Sequence, residues 1–231
     1  AFFKAADCPN SPYFPALDFY HMYSQGSRTI LPCFRTYQQT RDYSCASAVA
    51  LMVMYHFGYC DWRELEIADK MAAFHGLPTE SRRPIPVKDL VHFFEALGWD
   101  VESNLPFAAK APQDATPYNP WRCAEAKSFP TLDGFARFCR QTLRDGAPIM
   151  VENIDWGAHW RVIIGYDDMG TETEQDDVFI VADPYDTTDH NQDGYGFYPA
   201  ERLMYNFTMY GAFPEEEGGS DMLFLVASPA A

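Results

Sequence analysis

The segment CASAVALMVMYHF, running from Cys45 to Phe57, is apolar nearly all the way round. A helix made from it has no face to give to solvent, so it must lie inside a domain with other elements packed about it. Gly58 follows as a helix stop. Ser47, Tyr55 and His56 interrupt the run, and it falls short of the roughly 20 apolar residues that span a bilayer. It therefore predicts a buried central helix and no transmembrane segment. A chain of 231 residues is long enough to enclose it.

The elements around this helix divide into two kinds. Asp61 can cap a second helix over WRELEIADKMAAFHG, and Pro86 can start a third over VKDLVHFFEALG, whose Leu90, Phe93, Phe94 and Leu97 share one face. Residues 102–130 carry Pro106, Pro112, Pro117, Pro120 and Pro130 and read as a surface excursion. Leu132, Phe135, Cys139 and Leu143 then mark an amphipathic helix that Gly146 ends. After it come short β-type runs, PIMVENI, HWRVIIGYDD, DVFIVADPYD and DMLFLVAS, parted by acidic or glycine-containing turns. Helices first and strands second predict an α+β fold with an antiparallel sheet, not a βαβ array. The expected organisation is one domain over 1–231: an irregular arm at 1–37, a mainly helical part at 38–146 and a mainly β part at 147–231. There is no internal repeat, P-loop or GxGxxG motif.

Charge narrows the partners. Asp and Glu number 33 against 17 Lys and Arg, a net charge of −16, which repels phosphate backbones and anionic headgroups. Nucleic acid is not an expected partner, and neither is insertion into a membrane. The six cysteines form no CxxC pair, which argues against a zinc ribbon or a thioredoxin-like motif. They are too sparse for a disulfide framework, and the N-terminus shows no signal-peptide pattern, so the compartment stays open between secreted and cytoplasmic.

Chemistry gathers at the start of the central helix. Cys45 stands in its first turn, where unpaired N–H groups and the helix dipole favour an anion, so a depressed thiol pKa is expected. Six residues upstream, Gln39 can fold its amide back toward the sulfur and, with the Cys45 N–H, bind an oxyanion; Gln38 is the competing choice. His159 opens the strand HWRVIIGYD, a perch for a base. Asp183 ends the next strand, where its carboxylate can orient the imidazole. Taken singly, Cys45 reads as a small buried residue and Asp183-Pro184 as a turn; the order of all four makes the case.

That order, with Q-x5-C before an apolar helix, GxHW before an apolar strand and GYD, and DP after a third strand, resembles papain-like cysteine peptidases. It is most similar to the double-glycine peptidases that mature bacteriocins and to their stand-alone relatives. The resemblance spans roughly 36–57 and 149–185 and implies a papain-like fold, with a helical lobe whose central helix starts at the nucleophile, packed on an antiparallel sheet. It also implies that Cys45 attacks a carbonyl, His159 carries the proton, Asp183 orients it and Gln39 completes the oxyanion hole, on a peptide or protein substrate and with no cofactor required. The chain departs from such relatives in having Cys45-Ala46 where Cys-Gly is usual, and no transporter segment is present in the sequence. Two rivals share the fold: a deamidase or γ-glutamyl or acyl transferase using the same thioester, and a non-catalytic binding module.

Other residues have plainer readings. Asp189, Asn191, Asp193 and Gly194 match the start of a calcium loop, but position twelve is Ala200 and Glu201 falls one later, so a polar turn is the favoured reading. His21, His56, His75, His92 and His190 lack ligand spacing and read as structural. Glu215, Glu216 and Glu217 before Gly218-Gly219 read as a solvated turn.

Overall fold

The structure is a computed structural model that describes residues 17–74, 85, 87–103, 129, 131–154, 157–186, 191–207 and 223–230. The apolar segment forms α1 (Cys45–His56), and every residue from Ala46 to Met54 is buried. Its lack of a polar face is met by neighbours on several sides: α2 (Glu64–Ala73), α3 (Val87–Ala96) and the long strand β4 (Ala158–Asp167). Gly58, at φ +86°, takes the left-handed conformation that lets the chain turn away after the last helical carbonyls.

A seven-stranded sheet backs the helices, in the order β2 (Trp99–Ser103), β7 (Phe224–Pro229), β3 (Ile149–Ile154), β4, β5 (Val178–Ala182) and β6 (Tyr195–Pro199), with β1 (Arg28–Ile30) also paired to β4. All pairings are antiparallel. The fold is α+β, as the segregated pattern predicts. Helix α4 (Leu132–Arg144) buries Phe135, Ala136, Cys139 and Leu143, and the Thr131 hydroxyl caps it by accepting from the Gly134 N–H at 3.2 Å. Among the described residues no helix is long and apolar enough to cross a membrane.

Four elements depart from the sequence reading. Strand β1 lies in the arm expected to be irregular, and β2 lies in the part expected to be helical and joins the sheet through β7. Strand β6 and helix α5 (Ala200–Phe207) follow the acidic loop. Strands β1 and β2 are short, and their ladders are completed by partners more than a hundred residues away, a signal that local periodicity does not carry. Helices α2 and α3 are also shorter than the segments assigned to them. Of the Pro-rich excursion expected over 102–130, residues 104–128 and 130 lie outside the described residues, as do His75, Asp189, His190 and the Glu215 run.

One irregularity positions the site. Strand β3 pairs with β4 from Ala158 onward, but β5 joins β4 only from Val162, paired with Ala182. Among the described residues the first residues of β4 thus have an open edge on the β5 side, at the end where α1 begins.

Candidate active site

Register explains why His159 and Asp183 meet. Continuing Val162↔Ala182 by one residue sets Arg161 directly across from Asp183, and His159 lies on the same face as Arg161 by the two-residue alternation of a strand. Asp183 therefore reaches both. Its Oδ1 is 2.7 Å from His159 Nε2, and its Oδ2 accepts from Arg161 Nε at 2.6 Å. The backbone N–H groups of Tyr185 and Asp186 add bonds to Oδ1 of 2.8 and 3.2 Å, so the turn that Asp183-Pro184 starts is real and also holds the carboxylate. Asp183 and Arg161 are buried, each side chain 2 % exposed, while His159 keeps 14 %. Burial alone would raise the Asp183 carboxyl; the His159 hydrogen bond and the Arg161 charge overcome it and hold Asp183 well below the usual carboxylate range.

The turn after Asp183 is fixed by a glycine. The Asp183 N–H donates to the Gly194 carbonyl at 2.8 Å, and Gly194 has φ +82° with Thr36 so close that an added Cβ would stand 2.6 Å from the Thr36 Cβ. No other residue fits there without displacing Thr36, whose hydroxyl donates to the Asp193 carbonyl at 2.6 Å. Asp193 Oδ1 accepts from the Tyr195 N–H at 3.0 Å, and Asp186 Oδ2 accepts from the Gly194 N–H at 2.8 Å. These carboxylates close turns. Among the described residues no cluster of His, Cys, Asp and Glu could hold a metal ion.

Cys45 is the first residue of α1 and is half-buried. Its sulfur faces the N–H groups of Trp160 and Ala46, which places it beside the residue that follows His159. The expectation of a depressed thiol pKa is not met. Burial, with smaller contributions from the Glu152 and Asp183 carboxylates, pushes the Cys45 thiol up to about 11, against the opposing pull of those two N–H groups. A helix terminus has only partial charge, and here withdrawal from water outweighs it.

The loop that delivers Cys45 is held by Glu64, 2 % exposed at the start of α2. Its carboxylate accepts from the Thr40 N–H at 2.9 Å, the Thr40 hydroxyl at 2.7 Å and the Ser44 hydroxyl. Ser44 is the N-cap of α1 by position, yet its hydroxyl donates to Glu64 and accepts from the Arg41 N–H at 3.1 Å and does not cap the helix. Gln39 begins this loop. Its N–H donates to the Pro184 carbonyl at 2.7 Å, tying the loop to the turn of Asp183, and its Nε2 donates to the Arg41 carbonyl at 2.7 Å. Gln39 Oε1 is buried without a hydrogen-bond partner among the described residues. Gln38 is exposed and lines a small cavity with Thr36, Asp183, Asp186 and Gly194.

The structure thus joins His159 to Asp183 by a direct bond, Gln39 to the Asp183 turn through backbone, and Cys45 to β4 at Trp160. Arg161 and Glu64 were not found in the sequence. Arg161 carried a usable signal, because an arginine two residues after His159 in an otherwise apolar strand shares its face and needs a carboxylate when buried. Glu64 carried none, being one of several acids on an amphipathic helix. His56 is structural as expected, its Nε2 lying 2.9 Å from the Gly146 carbonyl.

The sequence matches a family model described as the Peptidase_C39 like family over residues 32–208. Among solved structures it is similar to the peptidase domain of Streptococcus ComA, a bi-functional ABC transporter involved in a quorum sensing pathway. That match has 12 % identity, covers 85 % of this chain and 99 % of that chain, and has a TM-score of 0.45. No curated protein matches.

Proposed function

Because the chain belongs to the Peptidase_C39 like family, and so to the cysteine peptidases, we propose that Cys45, His159, Asp183 and Gln39 carry its chemistry on a peptide substrate. The observation that carries this reading is the 2.7 Å bond from His159 Nε2 to Asp183 Oδ1. It commits one ring nitrogen to the carboxylate and leaves Nδ1 as the nitrogen for the thiol, which stands against the next residue's N–H.

The thiol rests protonated, so attack and proton transfer go together. As Cys45 Sγ bonds to the peptide carbonyl carbon, its proton passes to His159 Nδ1, and Asp183 steadies the imidazolium that forms. The carbonyl electrons move onto oxygen, where the Cys45 N–H and the Gln39 amide receive them. Collapse expels the amine, which takes the proton from His159 and leaves a thioester on Cys45. Water, deprotonated by His159, then adds to the thioester and releases the acid and the thiol. No metal or other cofactor enters these steps.

The test is exposure to a peptide-like alkylating probe, with peptide mapping because Cys33 and Cys60 are exposed free thiols that also label. Modification of Cys45 is expected, lost in Cys45→Ala and slowed at least about 100-fold in His159→Ala. Cleavage of a mixed peptide library should vanish in both variants. Labelling of Cys45 that ignores His159, with no cleavage, overturns the reading in favour of a binding module. An added amine acceptor separates hydrolysis from acyl transfer, since the two share the thioester and differ in its acceptor.

A further inference from the structure

The loop from Gln39 to Cys45 has little packing to hold it in place. Thr40, Arg41 and Asp42 are exposed, and no helix or strand includes them. Yet the two groups that the proposed reaction sets against a carbonyl oxygen, the Gln39 amide and the Cys45 N–H, stand at its two ends. Hydrogen bonds hold this loop, and they converge on one carboxylate. Glu64, 2 % exposed in the first turn of α2, accepts from the Thr40 N–H at 2.9 Å, the Thr40 hydroxyl at 2.7 Å and the Ser44 hydroxyl, and it also bonds the Tyr37 hydroxyl. These tie points lie on both sides of Gln39 and immediately before Cys45.

The links run on to the Gln39 side chain itself. Ser44 Oγ accepts from the Arg41 N–H at 3.1 Å, and the Arg41 carbonyl accepts from Gln39 Nε2 at 2.7 Å, which fixes one N–H of that amide and sets the aim of the other. We propose that Glu64 is a positioning residue for the oxyanion-binding pair, holding the Gln39 amide and the Cys45 N–H at the separation that a tetrahedral oxyanion needs. The inference rests on the reading of Cys45 as nucleophile and Gln39 as oxyanion donor. A carboxylate suits the task, because its partners on the loop are all neutral donors and its two oxygens accept from several at once. Helix α2 gives it a firm base, with Ile67, Met71 and Ala72 buried. Oxyanion donors act only if they are in place before the charge develops, and a shift of about 1 Å in such a group costs about 100-fold.

The experiment compares two initial rates at Cys45, each read by peptide mapping after an acid quench. p-Nitrophenyl acetate is attacked at its carbonyl carbon: the sulfur gains an acetyl thioester, p-nitrophenolate leaves, and negative charge collects on the carbonyl oxygen on the way. Iodoacetamide is attacked at a saturated carbon, iodide leaves, and no oxyanion forms. The ratio of acetylation to alkylation therefore reads the oxyanion pair, while a general loss of folding or of thiol reactivity lowers both rates alike. Glu64→Ala should lower the ratio about tenfold or more. Glu64→Gln, which keeps an oxygen for the Thr40 N–H and the Ser44 hydroxyl, should stay within about threefold of the parent. Where Glu64→Ala does not fold, Ser44→Ala cuts the link from Glu64 to the Arg41 N–H and should lower the ratio about fivefold or more. An unchanged ratio in Glu64→Ala, or in Ser44→Ala where that variant replaces it, overturns the proposal, as does a Gln variant that falls as far as the Ala variant. Gln39→Ala separates this inference from the reading beneath it. If Gln39→Ala lowers the ratio and the Glu64 and Ser44 variants do not, this inference alone fails; if Gln39→Ala leaves the ratio unchanged, the role of Gln39 fails and this inference with it.

Discussion

At one end of the β4–β5 pair Asp183 meets His159 and Arg161; at the other Asp177 meets Tyr166, with Arg140 nearby. Both sites hold a buried aspartate, an aromatic hydrogen-bond partner and an arginine, and their carboxyls move in opposite directions. Asp183 has a bond from every side and lies well below its ordinary range. Asp177 is raised, by burial first and then by the neighbouring Asp168 and Asp176 carboxylates. Its Oδ1 is buried without a hydrogen-bond partner among the described residues, and Arg140 pairs with Asp168 at 3.0 Å while standing over the Tyr166 ring at 5.8 Å. The difference teaches that composition does not set the charge state of a buried acid. What sets it is whether the cation bonds to that acid, and how many N–H groups converge on it.

Four substitutions test this contrast between the two aspartates. The largest expected effect is Asp183→Asn, which leaves Arg161 buried without its counter-charge and should cost about 3–5 kcal/mol in urea unfolding. It should also slow Cys45 labelling by a peptide-like probe at least about 100-fold. The linkage has a definite sign. A carboxyl lowered in the folded state contributes stability above its unfolded value, near about pH 4, and loses it as the pH falls further, so Asp183→Asn should flatten that acid loss. A variant with the parent's acid limb would show that Asp183 is not held ionised.

Gly194→Ala comes next. The positive φ and the clash with Thr36 should cost about 1–3 kcal/mol, and because Gly194 accepts the Asp183 N–H, labelling of Cys45 should fall too. Normal labelling in a destabilised variant would separate the turn from the site. Tyr166→Phe removes the hydroxyl on Asp177 and should cost about 1–2 kcal/mol while leaving Cys45 labelling untouched. Smallest is Asp177→Asn, expected within about 1 kcal/mol of the parent at pH 7 and neutral or stabilising. A raised carboxyl contributes stability below its unfolded value and loses it as the pH climbs through the folded one, so this variant should gain on the parent as the pH rises above about 4. Marked destabilisation at pH 7 would mean that Asp177 is ionised and paired.

Local pattern in the chain is enough to specify some of these parts. An apolar run without a polar face had to become a central buried helix, and α1 is that helix with Cys45 at its first position. Alternation and turn residues marked β3, β4, β5 and β7, and put His159 at the start of one strand and Asp183 just past the end of the next. Tertiary structure decided everything that depends on residues far apart in the chain. The register Val162↔Ala182 brings Arg161 opposite Asp183, and a slip of one residue would turn the histidine face away. Glu64 reaches Thr40 and Ser44 across 24 and 20 residues, and β2 joins the sheet through a strand more than a hundred residues later. The thiol is the clearest instance. Its place at a helix start argues for an easily formed thiolate, and burial between Trp160 and the Glu152 and Asp183 carboxylates reverses that. The helix is a local property written over a dozen residues; the water withdrawn from the sulfur depends on how distant segments pack around it.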